Sequence, residues 1–378
     1  MKWFAVKIVF LLSLAFLVSY SIGEGASSTK TSDGIKKVLV PFPKNNSMRV
    51  VIVGDTGTGE RAYAPGFRAV QKAMRQTNAD FLLHLGDFVY QSEFFPKSCP
   101  DRYIKEIKET LSDPYPLKLF VAGDNDLPPK KSKPKASGCW NKIDPLDSGF
   151  DTPGLRALEG TRVVGNVLIG IINNYPWEDP TPWLQPRIKE ARDKGFWVIL
   201  AVHEPAITTT WYLDKRNTVF KQLNALKADI VLSGNQHSYE RFHPTGQVEQ
   251  GKFTVARSES GKYHSGEGTM HIVSGGGGAY LRPFADLQKN EKRSAPKDVF
   301  HALAKRTLMN HFITFDISKE KLEGVVWRVC TPDDQSDESD PRWKAHKEFW
   351  KSIPLECDGR PTGTSAYEKF EITQALKP

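Results

Sequence analysis

Cysteine is scarce. The 378 residues contain four, Cys99, Cys139, Cys330 and Cys357, and no two form a CxxC pair. That absence speaks against a zinc knuckle and against a thioredoxin-type dithiol site. Dense Lys/Arg runs are also missing, although the formal net charge is +8. A mild basic excess favours anionic substrates or surfaces, but without a basic stripe it gives no case for a nucleic-acid partner. After residue 23 no apolar stretch is long enough to cross a bilayer, so no stable membrane span is expected. There is no internal repeat. With 39% apolar and 25% charged residues, the chain has a globular composition and enough material for one large domain or two ordinary ones.

The ends carry their own signals. Residues 1–23 read as a secretory signal: Lys2 and Lys7 are the positive region, Ile8 to Val18 the apolar region, and Ser21-Ile22-Gly23 a small-residue cleavage site. Its removal takes away two lysines and no acid, leaving +6. Residues 24–46 read as a flexible leader, with Asn45-Asn46-Ser47 a glycosylation sequon. Four cysteines fit an exported chain and allow three pairings; the simplest closes two local loops, Cys99–Cys139 and Cys330–Cys357. One main domain is expected over 47–330, with 331–378 as a C-terminal extension packed on it or trailing it.

Between these ends, short apolar runs alternate with helical patterns. Met48–Val53 runs into Gly54-Asp55-Thr56-Gly57, and Phe67, Val70 and Met74 follow at helical spacing. Asp80–Leu85 is the next strand and stops at Gly86-Asp87, with Tyr90 three residues on. This β, loop, α, β, loop order predicts a parallel βαβ unit. Strands are predicted at Leu117–Ala122, Val167–Ile172, Phe196–Val202 and Ala228–Ser233, and helices at Tyr103–Leu111, Trp183–Lys194 and Thr218–Leu226. Thr269–Ser274, His311–Asp316 and Gly324–Val329 are expected to form a second sheet packed on the first. Gly275–Gly278 reads as a flexible corner.

Five of the strands end in polar loops that contain metal-ligand residue types: Asp55, Asp87 with Tyr90, Asp124, His203, and Asn235 with His237. One Asp after a strand is ordinarily a turn former or helix cap, and one His an ordinary core residue. A succession of five is different, because ligands of open α/β sheets bind beyond the carboxyl ends of the strands.

On these motifs the chain resembles the calcineurin-like metallophosphoesterases, in particular the purple acid phosphatase branch. The residues that carry the resemblance are Gly-Asp55-Thr-Gly, Gly-Asp87-Phe-Val-Tyr90, Gly-Asp124-Asn125-Asp126, Val-His203-Glu-Pro and Gly-Asn235-Gln-His237-Ser-Tyr-Glu-Arg. The resemblance implies an α/β fold, a four-layer αββα sandwich of two mixed β-sheets with flanking helices. It also implies an exported phosphoester hydrolase of phosphomonoesterase type, acting on a phosphorylated small molecule or phosphoprotein. The alternatives are a degenerate member that binds metal or ligand without turnover, and a phosphodiesterase or nucleotide hydrolase.

Carried over, the resemblance places one metal on Asp55, Asp87, Tyr90 and His237, with iron expected. A second, manganese, magnesium or zinc, falls to Asp87, Asp124, His203 and Asn235, and Asp87 bridges the two. Two such cations clamp a phosphoryl group and acidify a bound water near neutral pH. This chain departs from the family pattern on one side. Asp124 stands where the family has Asn, and Asn235 where it has His. Asn125 stands where the family has a His, not itself a metal ligand, that acts on protons or phosphate. Asn cannot deliver a proton, so Asp126, Glu204 and, more remotely, His264 are candidates to substitute. His84, inside its strand, is expected in the core.

Overall fold

Valine, isoleucine and leucine dominate the strands, and the pattern of their burial builds the layers. The computed structural model describes residues 47–58, 64–90, 99–115, 117–127, 139–143, 150–151, 158–211, 213–249, 252–282, 284–285, 294–330 and 363–374. All belong to one unit that begins at residue 35. The signal segment, the whole of the leader, the sequon asparagine and Cys357 lie outside the described residues.

In chain order the first elements are β1 (Met48–Val53), α1 (Ala64–Arg75), β2 (Phe81–His84), α2 (Asp101–Ile107), β3 (Leu117–Phe120), β4 (Gly160–Val164) and β5 (Val167–Ile172). They continue with α3 (Thr181–Asp193), β6 (Trp197–Val202), α4 (Arg216–Ala225), β7 (Ile230–Ser233), β8 (Tyr239–Phe242), β9 (Thr245–Glu249) and β10 (Lys252–Val255). The last are β11 (Lys262–His264), β12 (Met270–Ser274), α5 (Lys297–Ala302), β13 (Leu303–Thr307), β14 (Asn310–Ile317), β15 (Lys321–Cys330) and β16 (Gly363–Thr373).

Two seven-stranded sheets result, ordered β11-β16-β15-β14-β1-β2-β3 and β13-β8-β12-β7-β6-β5-β4. Each is mixed. In the first, β1, β2 and β3 run parallel while β14 lies antiparallel to β1. In the second, β5, β6, β7 and β12 run parallel while β4 and β8 are antiparallel to their neighbours. Side chains alternate between faces along a strand. Val50 and Ile52 of the first sheet therefore meet Ile169, Ile199 and Leu232 of the second in one buried cluster. Val51 and Val53 point the other way, onto Phe67, Val70 and Met74 of α1. On the far side Leu168, Val198 and Leu200 pack on Leu184 and Ile188 of α3 and on Phe220 and Leu223 of α4. The outcome is the expected four-layer αββα sandwich of two mixed sheets.

Pairing differs from expectation in two places. The strands expected as a separate second sheet are divided: β12 joins β7, while β14 and β15 join β1. The cause is the burial of β1, whose Val-Val-Ile-Val run is enclosed on both faces. A strand buried in this way must pair its backbone on both edges, and β14 takes the edge that β2 leaves. Likewise, residues 363–373 of the expected extension form β16, an internal strand between β11 and β15. Glu368 anchors it, accepting hydrogen bonds from Tyr239 Oη at 2.6 Å and from Arg241 Nε at 3.1 Å. A disulfide joins Cys99 to Cys139 with 4.9 Å between their Cα atoms, and Cys330 is also disulfide-bonded.

Candidate metal centre

The five ligand-bearing loops leave the carboxyl ends of β1, β2, β3, β6 and β7, three from one sheet and two from the other. Backbone hydrogen bonds lock the first two loops together: Asp55 N–H to Gly86 O at 2.9 Å, Thr58 N–H to Phe88 O at 2.9 Å and Tyr90 N–H to Thr58 O at 2.8 Å. The Gly275–Gly278 corner is fixed in the same way, with Gly277 N–H on Gly54 O and His311 N–H on Gly276 O. Its glycines serve close packing, not the flexibility expected of them. Gly275 shows the need: a Cβ there would stand 2.1 Å from Gln236 O, as one at Gly123 in the β3 loop would from Asp87 Oδ1.

Asp55, Asp87 and Asn235 have positive φ, at 55°, 57° and 61°. Non-glycine residues in this region cost backbone energy and cluster at functional sites. Only two other non-glycine residues among those described, Asn78 and Lys227, share the conformation.

The candidate ligands form two adjoining groups. In one, Tyr90 Oη lies 3.2 Å from Asp55 Oδ1 and 3.1 Å from His237 Nε2, with His237 Nε2 3.3 Å from Asp55 Oδ1. In the other, His203 Nε2 lies 3.5 Å from both Asp87 Oδ2 and Asp124 Oδ1. Asp55, Asp87 and His203 each aim one ligand atom at a shared space, all within 4.8 Å of one another. The candidate ligands are buried, except Asp124, whose side chain is 55% exposed, and the partly buried Asn235.

Both histidines have their tautomer set from behind. His203 Nδ1 donates to Leu85 O at 2.7 Å, and His237 Nδ1 donates to Tyr280 O. A carbonyl oxygen only accepts, so each Nδ1 carries a proton, and each ring in its neutral form turns the Nε2 lone pair inward. His203 Nε2 is buried with no hydrogen-bond partner. Lone pairs of an imidazole and two carboxylates converging in a buried space repel one another unless a cation lies between them. The donor set therefore fits metal ions.

Where no cation lies between them, a proton takes its place on His203. Burial opposes charge on His203, but Asp87 and Asp124 outweigh it and hold the imidazole well above its ordinary range. Burial would raise Asp87, yet His203 and the Asn125 hydrogen bonds bring it to about 2. Burial, and then Asp55 and Asp87, push the Tyr90 phenol well above its ordinary value. Burial, and then Arg282, lower His237.

The other expected residues have separate surroundings. Asn125 grips Asp87 twice, through its backbone N–H on Oδ1 at 3.0 Å and its side-chain Nδ2 on Oδ2 at 2.7 Å. The Asp126 carboxylate is buried and accepts from the backbone N–H groups of Asp87, Phe88 and Gly123 at 2.7, 2.9 and 2.9 Å, which makes it the tie between the β2 and β3 loops. Glu204 Oε2 pairs with Lys215 Nζ at 3.0 Å. Asn235 meets the centre through its backbone, its N–H on Asp55 Oδ2 at 2.7 Å. His264 lies on β11 and bonds Thr373 Oγ1 at 2.8 Å. His84 is in the core, stacked on Phe120, with Nε2 2.9 Å from Thr56 Oγ1.

Two residues at the centre escaped the sequence reading. Arg282 donates from Nη1 to Asn235 O at 3.0 Å, and no local pattern marks it. Tyr175 follows β5, and its ring centroid lies 6.2 Å from that of His203. The strand-end rule that found His203 also applies to this loop.

The sequence model described as "Calcineurin-like phosphoesterase" matches residues 48–239, just over half of the chain. A protein of Arabidopsis thaliana named "Probable inactive purple acid phosphatase 1" is 25% identical over 325 residues, 76% of this chain and 50% of that one. A Hordeum vulgare protein named "Nucleotide pyrophosphatase/phosphodiesterase" is 23% identical over 330 residues, 77% of this chain and 84% of its own length. The chain spans about half the length of the Arabidopsis relatives it matches. Among solved structures, a purple acid phosphatase from yellow lupin seeds superposes with a TM-score of 0.56 at 16% identity, over 87% of this chain and 54% of that one, a likeness of fold. The motif order, the two-sheet sandwich and the family match agree: the chain belongs to the calcineurin-like phosphoesterase family, and several of its relatives bear the name of purple acid phosphatases, marked as probably inactive.

Proposed function

We propose that the protein is an exported metal-dependent phosphoester hydrolase of phosphomonoesterase type with a dinuclear site. The observation that carries the proposal is the convergence of His203 Nε2, buried and unpartnered, with Asp87 and Asp124, beside the Asp55, Tyr90 and His237 group. Asp55, Asp87, Tyr90 and His237 would hold a first ion, for which the phenol of Tyr90 favours iron. Asp87, Asp124, His203 and Asn235 would hold a second. This second set is rich in oxygen, which favours manganese or magnesium over zinc. Such ions would supply Lewis acidity and would acidify water for phosphoester hydrolysis.

The chain's own residues hold that geometry. Asn125 fixes both oxygens of Asp87, and each oxygen keeps a lone pair for a cation. Leu85 O and Tyr280 O orient the two imidazoles. Arg282 adds positive charge beside Asn235, and the net charge of +6 left without residues 1–23 favours an anionic substrate. A phosphorylated small molecule or phosphoprotein fits this character. Export is supported by the apolar segment near the first residue and by the Cys99–Cys139 disulfide.

A second reading, a protein that binds metal without turnover, is favoured by the Asn125 amide, which is committed to Asp87, and by the names of the Arabidopsis relatives. The barley relative's name points to a third, hydrolysis of nucleotide diesters. The test is hydrolysis of an aryl phosphomonoester by the chain from residue 24, with manganese, zinc or iron added. Metal-dependent turnover that vanishes in Asp87→Ala supports the proposal. Two bound metals without turnover on any phosphoester refute it.

A further inference from the structure

Carboxylates crowd the centre, yet a phosphoryl group in the transition state needs hydrogen-bond donors aimed at its oxygens. Most polar groups near the β3, β5 and β6 loops are already engaged. The Asn125 amide donates to Asp87, the Asp126 carboxylate holds three backbone N–H groups, and Glu204 pairs with Lys215. Arg282 is on the other flank, donating to Asn235 O. Tyr175 is different. Its Oη is buried and has no hydrogen-bond partner among the described residues.

Its placement is rigid. β5 and β6 are parallel neighbours with Ile172 opposite Val202, so the loop carrying Tyr175 leaves the sheet beside the one carrying His203. Tyr175 N–H donates to Asn173 Oδ1 at 3.0 Å, and Glu204 N–H donates to Asn174 Oδ1 at 2.8 Å, which couples the two loops. Two residues on, Trp177 Nε1 donates to Gln222 Oε1 of α4 at 3.0 Å. The phenol ring is tilted 54° to the His203 ring, with 6.2 Å between centroids. A buried hydroxyl without a partner is uncommon in a folded protein and calls for an explanation, which beside a phosphoesterase-type metal centre a bound oxyanion would supply.

We propose that Tyr175 is a substrate-contacting residue whose phenolic O–H donates to a phosphoryl oxygen on the His203 side of the centre. This rests on the hydrolase reading for its substrate class, but it concerns binding of the phosphate group and can be measured without turnover. The opposing view is that the ring only packs beside His203.

The test uses the manganese-loaded chain with Tyr175→Phe, which keeps the ring and loses the hydroxyl. Inorganic phosphate is the probe, titrated by calorimetry, with metal content and unfolding midpoint measured in parallel. Expected is phosphate affinity weaker by about tenfold, the effect of one good hydrogen bond to a charged group, with metal content unchanged. On an aryl phosphate, kcat/KM should fall by about 10- to 100-fold. A Phe variant that binds phosphate within twofold of the wild type overturns the proposal, as does a wild type that binds no phosphate. Wild-type protein that binds phosphate through Tyr175 but hydrolyses nothing refutes the enzyme reading alone.

Discussion

Replacing Asp126 separates a structural carboxylate from a catalytic one. Its side chain is fully buried and accepts three backbone hydrogen bonds, from Asp87, Phe88 and Gly123. Asp126→Ala strands all three donors. Each buried donor left unpaired costs about 1–3 kcal/mol, and partial relaxation of the loops reduces the sum, so about 3–5 kcal/mol of unfolding free energy should be lost. Asp126→Asn keeps one acceptor oxygen but turns an NH₂ group toward the remaining N–H, and should cost about 2 kcal/mol. The assay is urea unfolding of the metal-stripped protein with its disulfides intact, where the midpoint shifts and the slope does not. Metal affinity should fall with stability, because Asp87 takes its left-handed backbone from this tie. A variant with native stability and native metal content that no longer hydrolyses phosphoester would refute the reasoning and make Asp126 a chemical participant.

Other perturbations probe the fold and the first ion. Burial holds His271 at about 3, far below its ordinary 6.5. Below pH 6.5 the unfolded chain takes up a proton that the folded chain refuses, so this contribution is full above that pH and lost as pH falls, by about 2 kcal/mol at about pH 5. His271→Gln keeps an N–H for Asn224 Oδ1, and unfolding measured at both pH values should show that part of the loss gone; an unchanged loss contradicts it. Glu368→Leu leaves Arg241 buried without its partner and should cost about 3–5 kcal/mol in urea unfolding. Adding Arg241→Met should recover more than half, and no recovery would mean that the pair does not act as a unit. Iron-loaded protein should absorb in the visible and Tyr90→Phe should not; a band that survives removes Tyr90 from the ligands.

Much of this was legible in the chain because strand ends are local events. Leu-Leu-His-Leu-Gly-Asp87 and Val-His203 announce both the strand and the ligand beyond its end, and the sheet edges then bring the loops together. Sheet partners were not legible. The hydropathy of β14 and of the stretch around Phe370 says that each is a strand, but not that one pairs with β1 and the other lies between β11 and β15. Backbone roles were hidden for a similar reason. Asn235 is the right residue type for a ligand, yet its observed contribution is an N–H on Asp55, made possible by a positive φ that a sequence does not display. Asp126 fell in a motif position that suggested chemistry, whereas its partners are backbone amides brought close by Gly123. Tyr175 follows a strand end as His203 does, but a Tyr there is unremarkable until its hydroxyl is found buried and unpaired.

The most direct test of the central claim is the number of metal ions held per chain. Wild-type protein and Asp87→Ala would be loaded with iron and manganese, dialysed, and measured by elemental analysis against protein concentration. Asp87 lies between the Asp55 group and the His203–Asp124 group, so the account predicts two ions per chain in the wild type and one or none in the variant. A wild type that retains no ion, or an Asp87→Ala protein that still holds two, would contradict it.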